Sequence, residues 1–270
     1  MINLLKTAEE LFSDDTNKAN KSFVVDSIIG TVLLALKKYN ETEANVFVYA
    51  ANNYDANSIF NKLSSLIDED KIILLPGDDL IRVEYISESK EVKSELIYGL
   101  YKIRHSKHSI VIVTPSTLYR YYPSVKTFDD SFIEIHVGDD LNINDFKSKL
   151  SELGYISVSK IDQSMEYASR GGVIDVFSLN YQDPIRIEFF DTVIESIRLF
   201  KIETQTSYKK LDNALLIPAT INLLTEEEKA KTKNKILNQL NKDLLNKKDE
   251  DKEELIANVN EDIEQILNNS

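Results

Sequence analysis

Lysine is the default cation of this sequence. Of 32 Lys and Arg residues only six are arginine: Arg82, Arg104, Arg120, Arg170, Arg186 and Arg198. Three of the six fall within residues 165–207. A planar five-donor fork makes bidentate bonds to carboxylates that lysine cannot make, so arginine kept in one stretch points to recognition there. The same stretch carries IRIEFF at 185–190. Strand alternation places Arg186, Glu188 and Phe190 on one face and Ile185, Ile187 and Phe189 on the other. The second set is the core face. The first admits two readings. An exposed ring flanked by arginine has the composition of a protein-binding hot spot. Alternatively, Arg186 and Glu188 form a solvated charge pair and Phe190 caps a secondary core.

The elements that must position these residues are short strands. Gly171 and Gly172 break the chain before VIDVF at 173–177, and 180–184 has turn chemistry. Residues 185–190 alternate, and residues 193–200 follow after Asp191 and Thr192. This pattern predicts an antiparallel meander with one buried face and one wet face.

Four segments together resemble a known module: SRGGVIDVF at 169–177, PIRIEFFD at 184–191, ESIR at 195–198 and ETQTS at 203–207. They are similar to the UvrB-homology module that opens the bacterial transcription-repair coupling factors, the Mfd family. The E-T-Q-x-S ending favours that family over UvrB itself. The sequence departs from the pattern at Ser178, where proline is common, and at Val193, where a charged residue occurs. The resemblance implies a non-catalytic module whose partner is UvrA, with Arg170, Arg186 and Phe190 at the contacting positions. It also implies that the same patch is masked against the remainder of a longer chain. RNA polymerase and DNA would be engaged only through further domains, one of them an ATP-driven translocase, that lie outside these residues.

Upstream, apolar runs alternate with helical patterns. Strands are expected at 46–50, 72–76 and 109–115, with helices at 1–12, 28–39, 54–67 and 89–104. An apolar segment lies at 22–25. Continuous apolar strands between helices indicate a parallel α/β sheet, whose ligands gather at the carboxyl ends of its strands. A phosphate loop there needs G-x-x-x-x-G-K-[ST]. With Gly30 as its second glycine, Val25 replaces the first glycine, Thr31 the lysine and Val32 the hydroxyl. No cofactor is therefore expected. The resemblance implies a fold in which a degenerate RecA-like, P-loop-like domain carries an inserted α+β domain like the second domain of UvrB. The expected division is 1–122, an inserted 123–209, and a return over 210–270 ending in helices. Residues 141–153 read as a helix capped by Asn142 or Asn144 and ended by Gly154. Residues 214–218 read as the return to the first domain. After Thr225 an acidic first turn opens a helix, residues 247–254 are a charge run, and 251–267 form a second helix.

Composition narrows the function classes. A formal charge of −13 argues against a domain that holds DNA by phosphate neutralisation. No cysteine is present, so there is neither a disulfide framework nor a thiolate nucleophile. No apolar run suits a signal peptide or a membrane span, which gives a cytoplasmic expectation. His105 and His108 sit at an expected helix end where cations are favoured, and a metal site lacks a third ligand. Asp78 and Asp79 suit acid–base or magnesium chemistry, or else the capping of a turn. Tyr119, Tyr121 and Tyr122 around Arg120 suit base stacking, or else packing between domains. The rival function is an ATP-dependent helicase or translocase fragment of the UvrB type acting directly on DNA.

Overall fold

A computed structural model describes residues 27–77, 90–120, 122–224, 226–244 and 249–267. The expected helix at 1–12, the apolar segment 22–25 with Val25, the pair Asp78 and Asp79, and Tyr121 lie outside the described residues. The chain divides into two compact units between Tyr121 and Tyr122.

The first unit contains α1 (Ile28–Glu41), β1 (Val46–Tyr49), α2 (Asn53–Ser64), β2 (Ile72–Leu74), α3 (Lys90–His105), β3 (Ile110–Val113) and α4 (Pro115–Tyr119). Its three strands form a parallel sheet in the order β1-β3-β2. The expected parallel sheet is present, and β3 is fully buried at all four positions, as its unbroken IVIV predicts. The two helices nearest β1 supply Val32, Ala35, Leu36, Ala56, Ile59 and Leu63 to a core with Val48, Ile72, Ile110 and Ile112. Gly99 of α3 lies against β2, where an added Cβ would stand 2.4 Å from Leu75.

The second unit begins with α5 (Val125–Asp130), β4 (Ile133–His136) and α6 (Ile143–Glu152). The strands β5 (Ile156–Ser157), β6 (Glu166–Arg170), β7 (Val173–Val176), β8 (Ile185–Phe190), β9 (Val193–Phe200), β10 (Ser207–Leu211) and β11 (Asn213–Leu216) follow. Two helices, α7 (Glu226–Leu244) and α8 (Asp249–Leu267), complete it. The expected meander is the body of a six-stranded sheet in the order β10-β9-β8-β7-β6-β5. It is antiparallel except for β5, which runs parallel to β6. Ile174, Val176, Ile185, Ile187, Ile194 and Ile197 are all at most 1% exposed. Helix α6 adds the buried Phe146 and Leu150, and the Phe146 ring meets that of Phe189 at 6.3 Å. Its start is the one expected: the Asn142 side-chain oxygen accepts from the Asn144 and Asp145 amides.

Alternation alone would not place Ile194 and Ile197, three residues apart, on one face. A register shift in the β8–β9 ladder opposite Glu188 and Phe189 supplies the extra residue. Glu188 pairs Ser196 while Phe189 pairs Ile194, so Glu195 is the bulged residue.

Residues 214–216 belong to a second, two-stranded sheet. Asn213–Leu216 pairs antiparallel with Ile133–His136 inside the second unit, which brings the buried Ala214 and Leu216 together with Ile133 and Ile135. Ser178, where the family pattern has proline, is fully buried. Its Oγ accepts from the Ile217 amide and donates to Asn180 Oδ1, bonds that a proline side chain cannot make.

Two predictions follow from this packing. Gly154 has φ +84° and an added Cβ would lie 2.8 Å from Thr220 Cβ, whereas Gly138 has φ +96° and open space. Gly138→Ala should lose about 1–2 kcal/mol of stability from backbone strain alone, and Gly154→Ala measurably more, as read by urea unfolding. Equal losses would show that the Thr220 contact yields freely. The buried Tyr155 hydroxyl donates to the Ile217 carbonyl at 2.6 Å, and burial pushes its phenol well above the ordinary value, partly offset by a hydrogen bond with Ser178. A raised folded pKa gives stability that is intact below the unfolded value of about 10 and is lost as pH rises from there towards the folded one. The melting temperature should therefore fall more steeply above about pH 10 for the unsubstituted chain than for Tyr155→Phe. Parallel slopes would place that hydroxyl in water.

Candidate interaction face of the β-meander

Arg170, Arg186 and Phe190 share one face of the six-stranded sheet. Arg170 stands opposite Val173, which stands opposite Glu188, which stands opposite Ser196. One row further along, Ala168, Asp175, Arg186 and Arg198 are aligned in the same way. Phe190 continues the β8 alternation and pairs with Val193. Apolar side chains occupy the opposite face, so this one is left open, and Phe190 is 76% exposed on it.

Two tight turns present the ends of this face. Arg170 and Val173 flank Gly171 and Gly172, and Gly171 takes φ +59°. An added Cβ on Gly172 would meet the Phe189 carbonyl at 2.8 Å, so glycine is required where β6 turns beside β8. Phe190 and Val193 flank Asp191 and Thr192, with Asp191 at φ +57°. Arg170 and Phe190 therefore each precede a two-residue turn, on β6 and β8, at the same end of the sheet.

The three arginines of the meander are used differently. Arg186 Nε donates to Asp175 Oδ1 at 2.8 Å and Nη2 to Asp175 Oδ2 at 2.9 Å. Its Nη1 donates to the Gln205 carbonyl at 3.3 Å and Nη2 to Gln205 Oε1 at 3.4 Å. Its guanidinium lies 4.3 Å from the ring centroid of the fully buried Phe200. Hydrogen bonding to Asp175 holds the Arg186 pKa above its ordinary value. Arg198 Nη2 donates to Glu188 Oε2 at 2.7 Å, an oxygen that also accepts from Ser196 Oγ. The buried Arg198 Nε has no hydrogen-bond partner. Arg170 is exposed, and its Nη2 donates to the Ser159 carbonyl at 2.6 Å.

The alternative reading, a pair of Arg186 with Glu188, gives way to two cross-strand pairs, Arg186 with Asp175 and Arg198 with Glu188. Arg186 and Arg198 are direct cross-strand neighbours of like charge, and each is neutralised by an acid on an adjoining strand. Phe190 caps no secondary core. The buried ring on this side of the sheet is Phe200, and Arg186 covers it. Asp175 and Gln205 are the positioning residues that sequence reasoning passes over, although both lie in the quoted segments.

The other candidates resolve separately. Gly30, Thr31 and Val32 lie in the first turns of α1. Ser27 Oγ accepts from the Gly30 amide at 3.1 Å and the Ser27 carbonyl from the Thr31 amide at 3.0 Å. The Gly30 amide, which a phosphate loop would turn towards phosphate, is bonded within the cap. Near the carboxyl ends of the strands, Asn53 Nδ2 donates to the Gly77 carbonyl and Thr117 Oγ1 to the Leu75 carbonyl. His105 Nδ1 lies 2.9 Å from the Tyr101 carbonyl at the end of α3. His108 stacks on Tyr39 with ring centroids 3.8 Å apart, and His136 lies beside Glu134 and Asp139. Among the described residues, no group of three His, Asp or Glu side chains is placed to hold a metal ion, and no helix is long and apolar enough to cross a membrane. Tyr119 is 82% exposed.

Exposure separates the two phenylalanines at the end of β8. Phe189→Ala should cost about 3–5 kcal/mol because its ring is buried against α6, whereas Phe190→Ala should change stability by less than ~0.5 kcal/mol. Denaturant midpoints of the two variants check this, and a large loss for Phe190→Ala would mean that its ring is packed.

Comparison with known proteins finds matches over most of the chain. Residues 133–221, which contain the six-stranded and the two-stranded sheet described above, match the family model of the UvrB interaction domain. Over 228 residues, 84% of its length, the chain is 32% identical to a transcription-repair-coupling factor of Bacillus subtilis (strain 168), covering 19% of that protein. Over 196 residues it is 31% identical to the transcription-repair-coupling factor of Staphylococcus aureus (strain NCTC 8325 / PS 47), with 73% of this chain and 17% of the relative covered. The chain spans less than a fifth of the length of these curated relatives. Over most of its length the chain is thus similar to one part of the transcription-repair-coupling factors, and its meander matches the UvrB interaction domain.

Proposed function

We propose that this module serves transcription-coupled DNA repair by docking a UvrA-type partner on the open face of the meander, with Arg170, Arg186 and Phe190 as its determinants. The observation that carries the reading is the 76% exposure of Phe190 on a strand whose neighbouring phenylalanine is buried. A large ring held in water on a face that also carries the exposed Arg170 has the composition of an interface anchor. The ring would be desolvated in a pocket of the partner, and Arg170 would meet an acidic rim. In fold terms, the first unit is a degenerate RecA-like domain and the second a relative of the second domain of UvrB. RNA polymerase and DNA would be engaged by other parts of the longer relatives, and the module would work in the cytoplasm.

The module itself would act as an adaptor and not as a nucleotide-driven motor. The Ser27 cap supports this, because it consumes the Gly30 amide that would receive a phosphate. A ligand that binds only the folded state must raise the melting temperature by mass action. Millimolar Mg-ATP is therefore expected to leave the melting temperature of this chain unchanged, and a saturable rise would revive the helicase reading.

The direct test is titration of the chain against purified UvrA, with circular dichroism to confirm folding of every variant. Phe190→Ala should weaken binding by about 30-fold or more, the scale of a hot-spot truncation. Arg170→Ala should weaken it by about 5-fold or more, as a partly exposed charge contact does. Undiminished binding by both folded variants would move the interface elsewhere. No binding by the unsubstituted chain would leave the family relationship as one of fold.

A further inference from the structure

Four of the five Arg186 N–H groups already have acceptors within the chain, and one face of its guanidinium is covered by Phe200. Its side chain is only 21% exposed. Such a group has little left to offer a partner. It holds the loop at 201–206 instead. That loop is closed by Lys201 donating from its amide to the Thr206 carbonyl and Gln205 donating to the Lys201 carbonyl. Gln205 takes φ +58°, a conformation that costs a non-glycine residue energy and persists only when its surroundings hold it. The hold is visible: the Gln205 carbonyl and Oε1 both accept from Arg186, while its Nε2 donates to the Ile202 carbonyl at 2.8 Å. The loop also lies at the end of β8 and β9 opposite to Phe190 and its turn, since Phe200 and Ser207 flank it.

Resting on the docking function proposed above, we propose that Arg186 is a positioning residue for the partner-binding face and not a contact. Through Asp175 it ties β7 to β8, and through Gln205 it fastens the 201–206 loop, so that Phe200 stays covered and the face stays flat. Arg170 and Phe190, at the far end, make the contact. The glutamine of the E-T-Q-x-S segment is on this account a structural counterpart of Arg186.

The test compares Arg186→Gln, Arg186→Lys, Asp175→Asn and Gln205→Ala in the whole chain, with two measurements. Amide hydrogen exchange of the free chain reads the loop. Each variant should speed exchange at Gln205 and Thr206 by about tenfold or more, as loss of charge-assisted bonds implies. Arg186→Lys should do so as well, because an ammonium keeps the charge but not the fork. Titration against purified UvrA reads the partner. All four variants should weaken binding by similar factors, within about threefold of one another and less than Phe190→Ala does. Loss confined to the Arg186 variants, with Asp175→Asn and Gln205→Ala binding normally, would make Arg186 a contact and overturn the proposal. Normal binding by all four beside fast exchange would reduce Arg186 to a local stabiliser and also overturn it. Failure of the unsubstituted chain to bind would remove the docking function and the positioning assignment together, while the exchange data would still decide whether Arg186 fastens the loop.

Discussion

A single guanidinium organises the open side of the meander. Arg186 sits over the Phe200 ring, forked by Asp175 on the neighbouring strand and capped by Gln205 from the following loop. Each contact depends on planarity. Stacking needs a flat, weakly hydrated cation, and the fork needs two parallel donors. Lysine satisfies neither, which accounts for arginine at this position in a sequence that otherwise uses lysine. Both partners of the fork are partly shielded, at 21% and 15% exposure, so the bond is less screened than a surface pair. The neighbouring Arg198 would repel Arg186 directly across the ladder were it not for Glu188 and Ser196. The face is therefore a patchwork of compensated charges with one large ring at its edge, and not a basic field. That suits a module whose overall charge is −13.

The opposite side of the same sheet depends on register. A one-residue slip would turn its buried apolar side chains to the other face, since side chains alternate faces with period two. The bulge at Glu195 is the local solution that lets Ile194 and Ile197 both point inward. Residues 138–141 then fasten the start of β9: Gly138 donates to the Ile194 carbonyl, Ile194 to the Asp139 carbonyl and Leu141 to the Thr192 carbonyl. These bonds cover an edge that β10, paired only with the far half of β9, leaves open.

Much of this was legible in the residues alone, for physical reasons. Period-two alternation in IRIEFF marks β8 and its buried face, because Ile185, Ile187 and Phe189 can be buried together only in a strand. Asn142 and Gly154 mark the ends of α6 because each supplies what a helix end lacks, a side-chain acceptor and a left-handed residue. Ion pairing was not legible. Glu188 is the nearest acid along the strand to Arg186, but side chains two apart on one strand compete with cross-strand neighbours, and those depend on a register that no single segment encodes. The bulge left no compositional trace, since Glu195 is an ordinary strand-face residue. The apolar run ending in Ile217 reads as a returning segment, and nothing in it names its partner β4, which lies far upstream by pairing of Asn213 with His136 and Leu216 with Ile133. The contacts of Arg170 could not be read either, because Ser159 reaches it from a loop without sequence pattern.

The two-residue turns beside Arg170 and Phe190 have a thermodynamic consequence. Each side chain is borne by a residue whose backbone is fixed by a ladder on one side and a tight turn on the other. Association must otherwise be offset against the ordering of loops and rotamer-rich side chains. Here the backbone share of that entropy has already been lost on folding, and a phenylalanine has only two side-chain torsions left to restrict. A ring presented in this way needs no closing motion before it can be received. Its residence time in a complex is then governed by how well the receiving pocket excludes water, and hardly at all by the flexibility of the module that carries it.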